Sequence, residues 1–70
     1  MSRLPTNIKG RDLIKTLEKF GFVQTGGKGS HIRLKHPDGR WTQVAVHTKP
    51  VPLGTLRAIL RQSKLHIEDL

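Results

Sequence analysis

Cysteine is absent from the 70-residue sequence, which excludes disulfides, thiolate catalysis and thiolate zinc sites together and suits a reducing cytoplasm. Acids are scarce as well. Asp12, Glu18, Asp38, Glu68 and Asp69 are the whole set, too scattered to supply the converging carboxylates of a two-metal nuclease. No apolar run exceeds three residues, so nothing reads as a membrane span and the start reads as no export signal. Length is also short supply: a chain of this size buries only about 60% of its unfolded surface. That leaves too few walls for a deep cofactor pocket. The expectation is one domain over residues 1–70, acting through its surface, with no small-molecule cofactor and no metal.

What the sequence holds in excess is positive charge. Thirteen Lys and Arg stand against five acids, for a formal charge of +8, and such a surplus expects a polyanion as partner. An anionic membrane fits less well, because the amphipathic helices spend their apolar faces on the core.

The elements follow from periodicity. After an irregular lead through Pro5, residues 9–20 place Leu13, Ile14, Leu17 and Phe20 on one helical stripe, and Gly21 supplies the stop. Phe22 and Val23 open a strand that runs into Gly26, Gly27, Lys28 and Gly29, a cluster that reads as a turn or bulge. Residues 30–36 alternate, with Ile32 and Leu34 on one side and His31, Arg33 and Lys35 on the other. Pro37, Asp38 and Gly39 fit a type I turn followed by a glycine bulge. That turn opposes Leu34 to Thr42, Ile32 to Val44 and Ser30 to Val46, giving one apolar face. The other face then pairs Lys35 with Trp41, Arg33 with Gln43 and His31 with Ala45, with His47 diagonal to His31 at roughly 7 to 8 Å. Pro50 and Pro52 end the strand region. Residues 55–63 read as a second helix, with Leu56, Ile59 and Leu60 inward and Arg57, Arg61 and Lys64 as a basic ridge. Leu65 and Ile67 are placed to fold back on the core. The sum is an α+β fold of order α-β-β-β-α, a three-stranded antiparallel sheet with two helices on one face. The bare face carries His31, Arg33, Lys35, Gln43 and His47.

Four blocks resemble the HicA family of toxins from toxin-antitoxin pairs: residues 13–23 (LIKTLEKFGFV), 28–31 (KGSH), 36–40 (HPDGR) and 46–60 (VHTKPVPLGTLRAIL). The resemblance implies a double-stranded-RNA-binding-domain-like fold, cleavage of mRNA without the ribosome, and a HicB-type antitoxin as protein partner. It also implies that His31, in the Gly29-Ser30-His31 block, is the catalytic residue. Many members carry a second histidine next to it. Here that position is Ile32, which faces the other side of the strand.

The residues themselves are compatible with that chemistry. RNA carries its own nucleophile in the 2′-OH, so a catalyst needs to move a proton and stabilise the charge on phosphorus. A neutral imidazole does the first near physiological pH. Lys28 and Arg33 can hold phosphate oxygens. Auxiliary candidates are Lys28 and His47, the latter either a second proton carrier or a strand-end residue. The RNA-binding candidates are Lys28, Ser30, Arg33, Lys35, Trp41 and Gln43; Trp41 either stacks an unpaired base or covers the sheet edge. His36 belongs to the turn and His66 to the tail. The basic ridges Arg11, Lys15, Lys19 and Arg57, Arg61, Lys64 read equally as solvated faces. The glycine cluster lacks the ending of a nucleotide-binding loop and leads into a strand. Two rival readings remain open: a non-catalytic RNA-binding module on the same surface, and a domain whose partner is an acidic protein.

Overall fold

A computed structural model describes residues 7–70. The lead through Pro5 lies outside the described residues. Helix α1 (Gly10–Lys19) is followed by strands β1 (Val23–Lys28), β2 (His31–Lys35) and β3 (Trp41–Ala45), then helix α2 (Leu53–Ser63) and a short 3-10 turn at Ile67–Asp69. The strands form one antiparallel sheet with β2 central. This is the α-β-β-β-α order expected from the sequence.

The apolar stripe of α1 buries Leu13, Ile14 and Leu17, with Asp12 in its first turn and Lys19 in its last, as the helix dipole favours. The end of α1 is a Schellman motif. Gly21 takes φ 97, its N–H donates to the Glu18 carbonyl (3.0 Å), and the Phe22 N–H donates to the Leu17 carbonyl (3.0 Å). The turn swings Phe22 into the core beside Leu17, at 2% exposed, and leaves Phe20 outside at 38%. Phe20, placed on the buried stripe by its spacing, is therefore displaced by the reversal that follows it.

The β2–β3 hairpin has the expected register, with Ile32 opposite Val44 and Leu34 opposite Thr42, and the Val46 N–H donating to the Ser30 carbonyl (2.7 Å). Its turn is closed by the Gly39 N–H donating to the His36 carbonyl (2.9 Å), with Gly39 at φ 103. Asp38 stiffens it by accepting from the Arg40 N–H (3.0 Å) and Nε (2.7 Å). The Arg40 backbone N–H, helped by its guanidinium, holds the Asp38 carboxyl below its usual range. His36 Nδ1 accepts from the Asp38 N–H (3.1 Å) and its ring meets Phe22 edge-on, 5.1 Å between centroids.

The glycine cluster is mostly strand. β1 carries a bulge between Gln24 and Gly26, then continues with Gly26 opposite Arg33, Gly27 opposite Ile32 and Lys28 opposite His31. Only Gly29 and Ser30 form the connecting turn, with Gly29 at φ 62.

Leu34 and Val44 from the sheet, Leu13, Ile14 and Leu17 from α1, and Leu56 and Ile59 from α2 join Phe22 and Val51 in one buried cluster. Both helices therefore cover the same face. Truncating a fully buried leucine such as Leu34 to alanine costs about 2–5 kcal/mol, a large share of the stability of so small a domain. Thr42, buried on that face, donates to Gln62 Oε1 (2.8 Å) and fixes β3 to α2. Helix α2 begins two residues earlier than the spacing predicts, with Pro52 as its N-cap. Lys64 is its C-cap in the left-handed conformation (φ 58), so it ends the basic ridge instead of extending it. Leu65 packs on the core as expected, together with Leu70; Ile67 starts the 3-10 turn.

Candidate functional site

Because side chains alternate along a strand, burying Leu34, Thr42 and Val44 forces their neighbours to the opposite side. His31, Arg33 and Lys35 of β2 and Trp41 and Gln43 of β3 are all exposed there. His31 sits at the start of β2, opposite Lys28 on one flank and Ala45 on the other. Its position depends on Gly27. A Cβ at that residue would overlap the His31 carbonyl oxygen and lie 3.0 Å from the Ile32 Cα, so only glycine lets β1 approach this closely.

Three shallow depressions adjoin along the open face. The central one, about 400 Å³, is walled by Gly27, Lys28, His31, Arg33 and Gln43. A second, about 380 Å³, shares His31 and Gln43 and adds Ala45, His47, Lys49, Pro50, Val51, Pro52 and Thr55. The third, about 580 Å³, shares Arg33 and adds Thr25, Lys35 and Trp41. Arg33 lies over the Trp41 ring, 5.7 Å from its centroid. The result is a continuous track in which His31 is shared by the first two depressions, the cations Lys28 and Arg33 line the central one with it, and the exposed Trp41 ring lies in the third.

The sequence-derived residues thus separate into groups. Lys28, His31, Arg33 and Gln43 meet in one depression; His47 stands in the next; Lys35 and Trp41 lie beyond Arg33. Ser30 is in the turn, holds Val46 through its carbonyl, and walls none of these three depressions. Gln43 does more than share the face, since its Nε2 lies 3.0 Å from His31 Nδ1. Spacing alone did not single out Lys49 or the Pro50, Val51, Pro52 wall: the prolines read as chain breakers, whereas an isolated bridge between Lys9 and Pro50 holds that segment beside the sheet.

Among the described residues, no three His, Cys, Asp or Glu side chains come together as a metal-binding group. Asp38 is committed to its turn, and Glu18 accepts from Gln24 Nε2 (3.3 Å). No helix among the described residues is long and apolar enough to cross a membrane.

Residues 10–65 match the model of a protein family described as HicA toxin of bacterial toxin-antitoxin. No curated protein matches the chain.

Proposed function

The chain belongs to the HicA toxin family, and on that premise we propose that it is the toxin of a toxin-antitoxin pair, a metal-independent endoribonuclease in which His31 moves the protons. The observation that carries this reading is the setting of His31: an exposed imidazole in a depression whose other walls include the cations Lys28 and Arg33. His31 takes the proton from the ribose 2′-OH. The 2′-oxygen then attacks phosphorus, the bond from phosphorus to the 5′-oxygen breaks, and His31 returns the proton to that oxygen. The products are a 2′,3′-cyclic phosphate and a 5′-hydroxyl, with no net oxidation and no water consumed.

Positioned proton transfer of this kind supplies on the order of 100- to 10,000-fold. Lys28 and Arg33 offset the extra charge on the phosphorane oxygens. Trp41 stacks an unpaired base, with Lys35 beside it holding the adjoining phosphate. His47, which lines the second depression together with Lys49, contacts the RNA beyond the scissile bond as an auxiliary group. The cytoplasm is the compartment in which mRNA meets such an enzyme. A HicB-type antitoxin, acidic where it meets this face, inhibits by covering His31.

The test is incubation of the purified protein with unstructured RNA in EDTA, alongside His31→Ala. Cleavage by wild type and intact RNA with the variant supports the reading. Binding by both without cleavage would make the protein an RNA-binding module.

A further inference from the structure

The open face holds one interaction that binding RNA does not require. Gln43 and Arg33 are opposite one another, and His31 and Ala45 form the next outward-facing pair, so Gln43 reaches His31 along a diagonal of the ladder. Its amide nitrogen ends 3.0 Å from His31 Nδ1. With Nδ1 occupied, Nε2 is the ring nitrogen left for a substrate.

Resting on the proposed ribonuclease reading, we infer that Gln43 is a positioning residue that dedicates His31 Nδ1 to the protein and Nε2 to the RNA. An amide suits this task because it is donor and acceptor at once. As observed, the amide N–H donates to Nδ1, which puts the proton of the neutral ring on Nε2; a half-turn of the amide offers its carbonyl oxygen to Nδ1–H instead and leaves the Nε2 lone pair to take the 2′-OH proton. The same hydrogen bond persists in the imidazolium, whose Nε2–H is then delivered to the leaving 5′-oxygen. The partner is neutral throughout, so it orients the ring without adding a counter-charge. The remaining charged or titratable groups around the ring are Lys28 from β1, Arg33 from β2, and His47 and Lys49 from the segment after β3. Lys28, Arg33 and Lys49 are cations with donors only, and none of these three can take Gln43's place as an acceptor from Nδ1–H.

The experiment combines ¹⁵N NMR of the His31 ring with pH–rate profiles for wild type, Gln43→Met, Gln43→Glu and Gln43→Thr. Thermal melting checks each fold, and the threonine variant is a strand former too short to reach the ring. Loss of the partner in the methionine and threonine variants is expected to shift the ¹⁵N tautomer signature toward that of a free imidazole. It should also lower kcat roughly ten-fold with KM near wild type. Gln43→Glu places a carboxylate on Nδ1–H and is expected to move the acid limb of the profile to higher pH by about one unit or more. An unchanged ring signature in Gln43→Met, an unmoved acid limb in Gln43→Glu, or a rise in KM alone would each overturn the assignment. The ring signature is read without substrate. Wild-type cleavage by His31→Ala would therefore defeat the ribonuclease reading while leaving the hydrogen bond separately decided.

Discussion

Two glycines in β1 offer a controlled test of how the backbone places His31. Gly26 and Gly27 both have φ in the region that L residues avoid, 135 and 148. A Cβ at Gly26 would meet nothing within 4 Å, whereas one at Gly27 would overlap the His31 carbonyl oxygen and sit 3.0 Å from both the His31 carbonyl carbon and the Ile32 Cα. Gly26→Ala therefore carries backbone strain alone, about 1–3 kcal/mol. For a domain of this size each kcal/mol lowers the melting temperature by roughly 4–8 °C. Gly27→Ala carries the same strain, and in addition β1 must move away from β2 at His31. A displacement of the reacting group by about 1 Å is enough to cost roughly 100-fold in rate. Circular dichroism melts of both variants, and RNA cleavage well below their melting temperatures, separate the two effects. Gly26→Ala should be less stable yet cleave near the wild-type rate while folded, and Gly27→Ala should lose more stability and most of its activity. Equal activity in the two folded variants would refute the claim that the close approach at Gly27 positions His31.

Further outcomes follow from the charges and the aromatic ring. Replacing Lys28 and Arg33 with glutamine should reduce the salt slope of single-stranded RNA binding by about 1.4, at about 0.7 per phosphate contact, as read by anisotropy titrations at several salt concentrations. Trp41→Ala should weaken binding of unpaired RNA roughly ten-fold or more, with little change for a fully paired duplex, in the same assay. Asp38 has its pKa lowered in the folded state from 3.8. Its contribution is therefore complete above that value and is lost as pH falls through the lower folded one. Urea titrations should show wild-type stability declining with acidification in that window more steeply than Asp38→Asn.

The parts of this structure legible in the sequence are those governed by local rules. Pro37, Asp38 and Gly39 define a turn, the turn defines the β2–β3 register, and the register delivers His31, Arg33, Lys35, Trp41 and Gln43 to one face. What escaped is set by distant neighbours. The glycine cluster read as a turn or bulge, and the bulge between Gln24 and Gly26 is there, but nothing local reveals that the strand continues or that β2 passes so close to Gly27. Phe20 has helical spacing, yet the reversal at Gly21 gives its place in the core to Phe22. The start of α2 at Leu53 has Pro52 as N-cap, whereas the helical stripe of Leu56, Ile59 and Leu60 placed the start at residue 55. Gln43 was assigned to the right face, but its contact with His31 escaped, because a diagonal side-chain bond across a ladder depends on rotamers that spacing does not determine.

The proposed reaction begins with one proton on one oxygen, and a substrate can test it as directly as a mutation. An RNA oligonucleotide cleaved at a defined site should resist cleavage when the ribose 5′ to that site carries hydrogen in place of its 2′-OH, and the unmodified strand should yield 2′,3′-cyclic phosphate and 5′-hydroxyl ends. Continued scission of the 2′-deoxy strand at that site, with 5′-phosphate ends, would contradict the account.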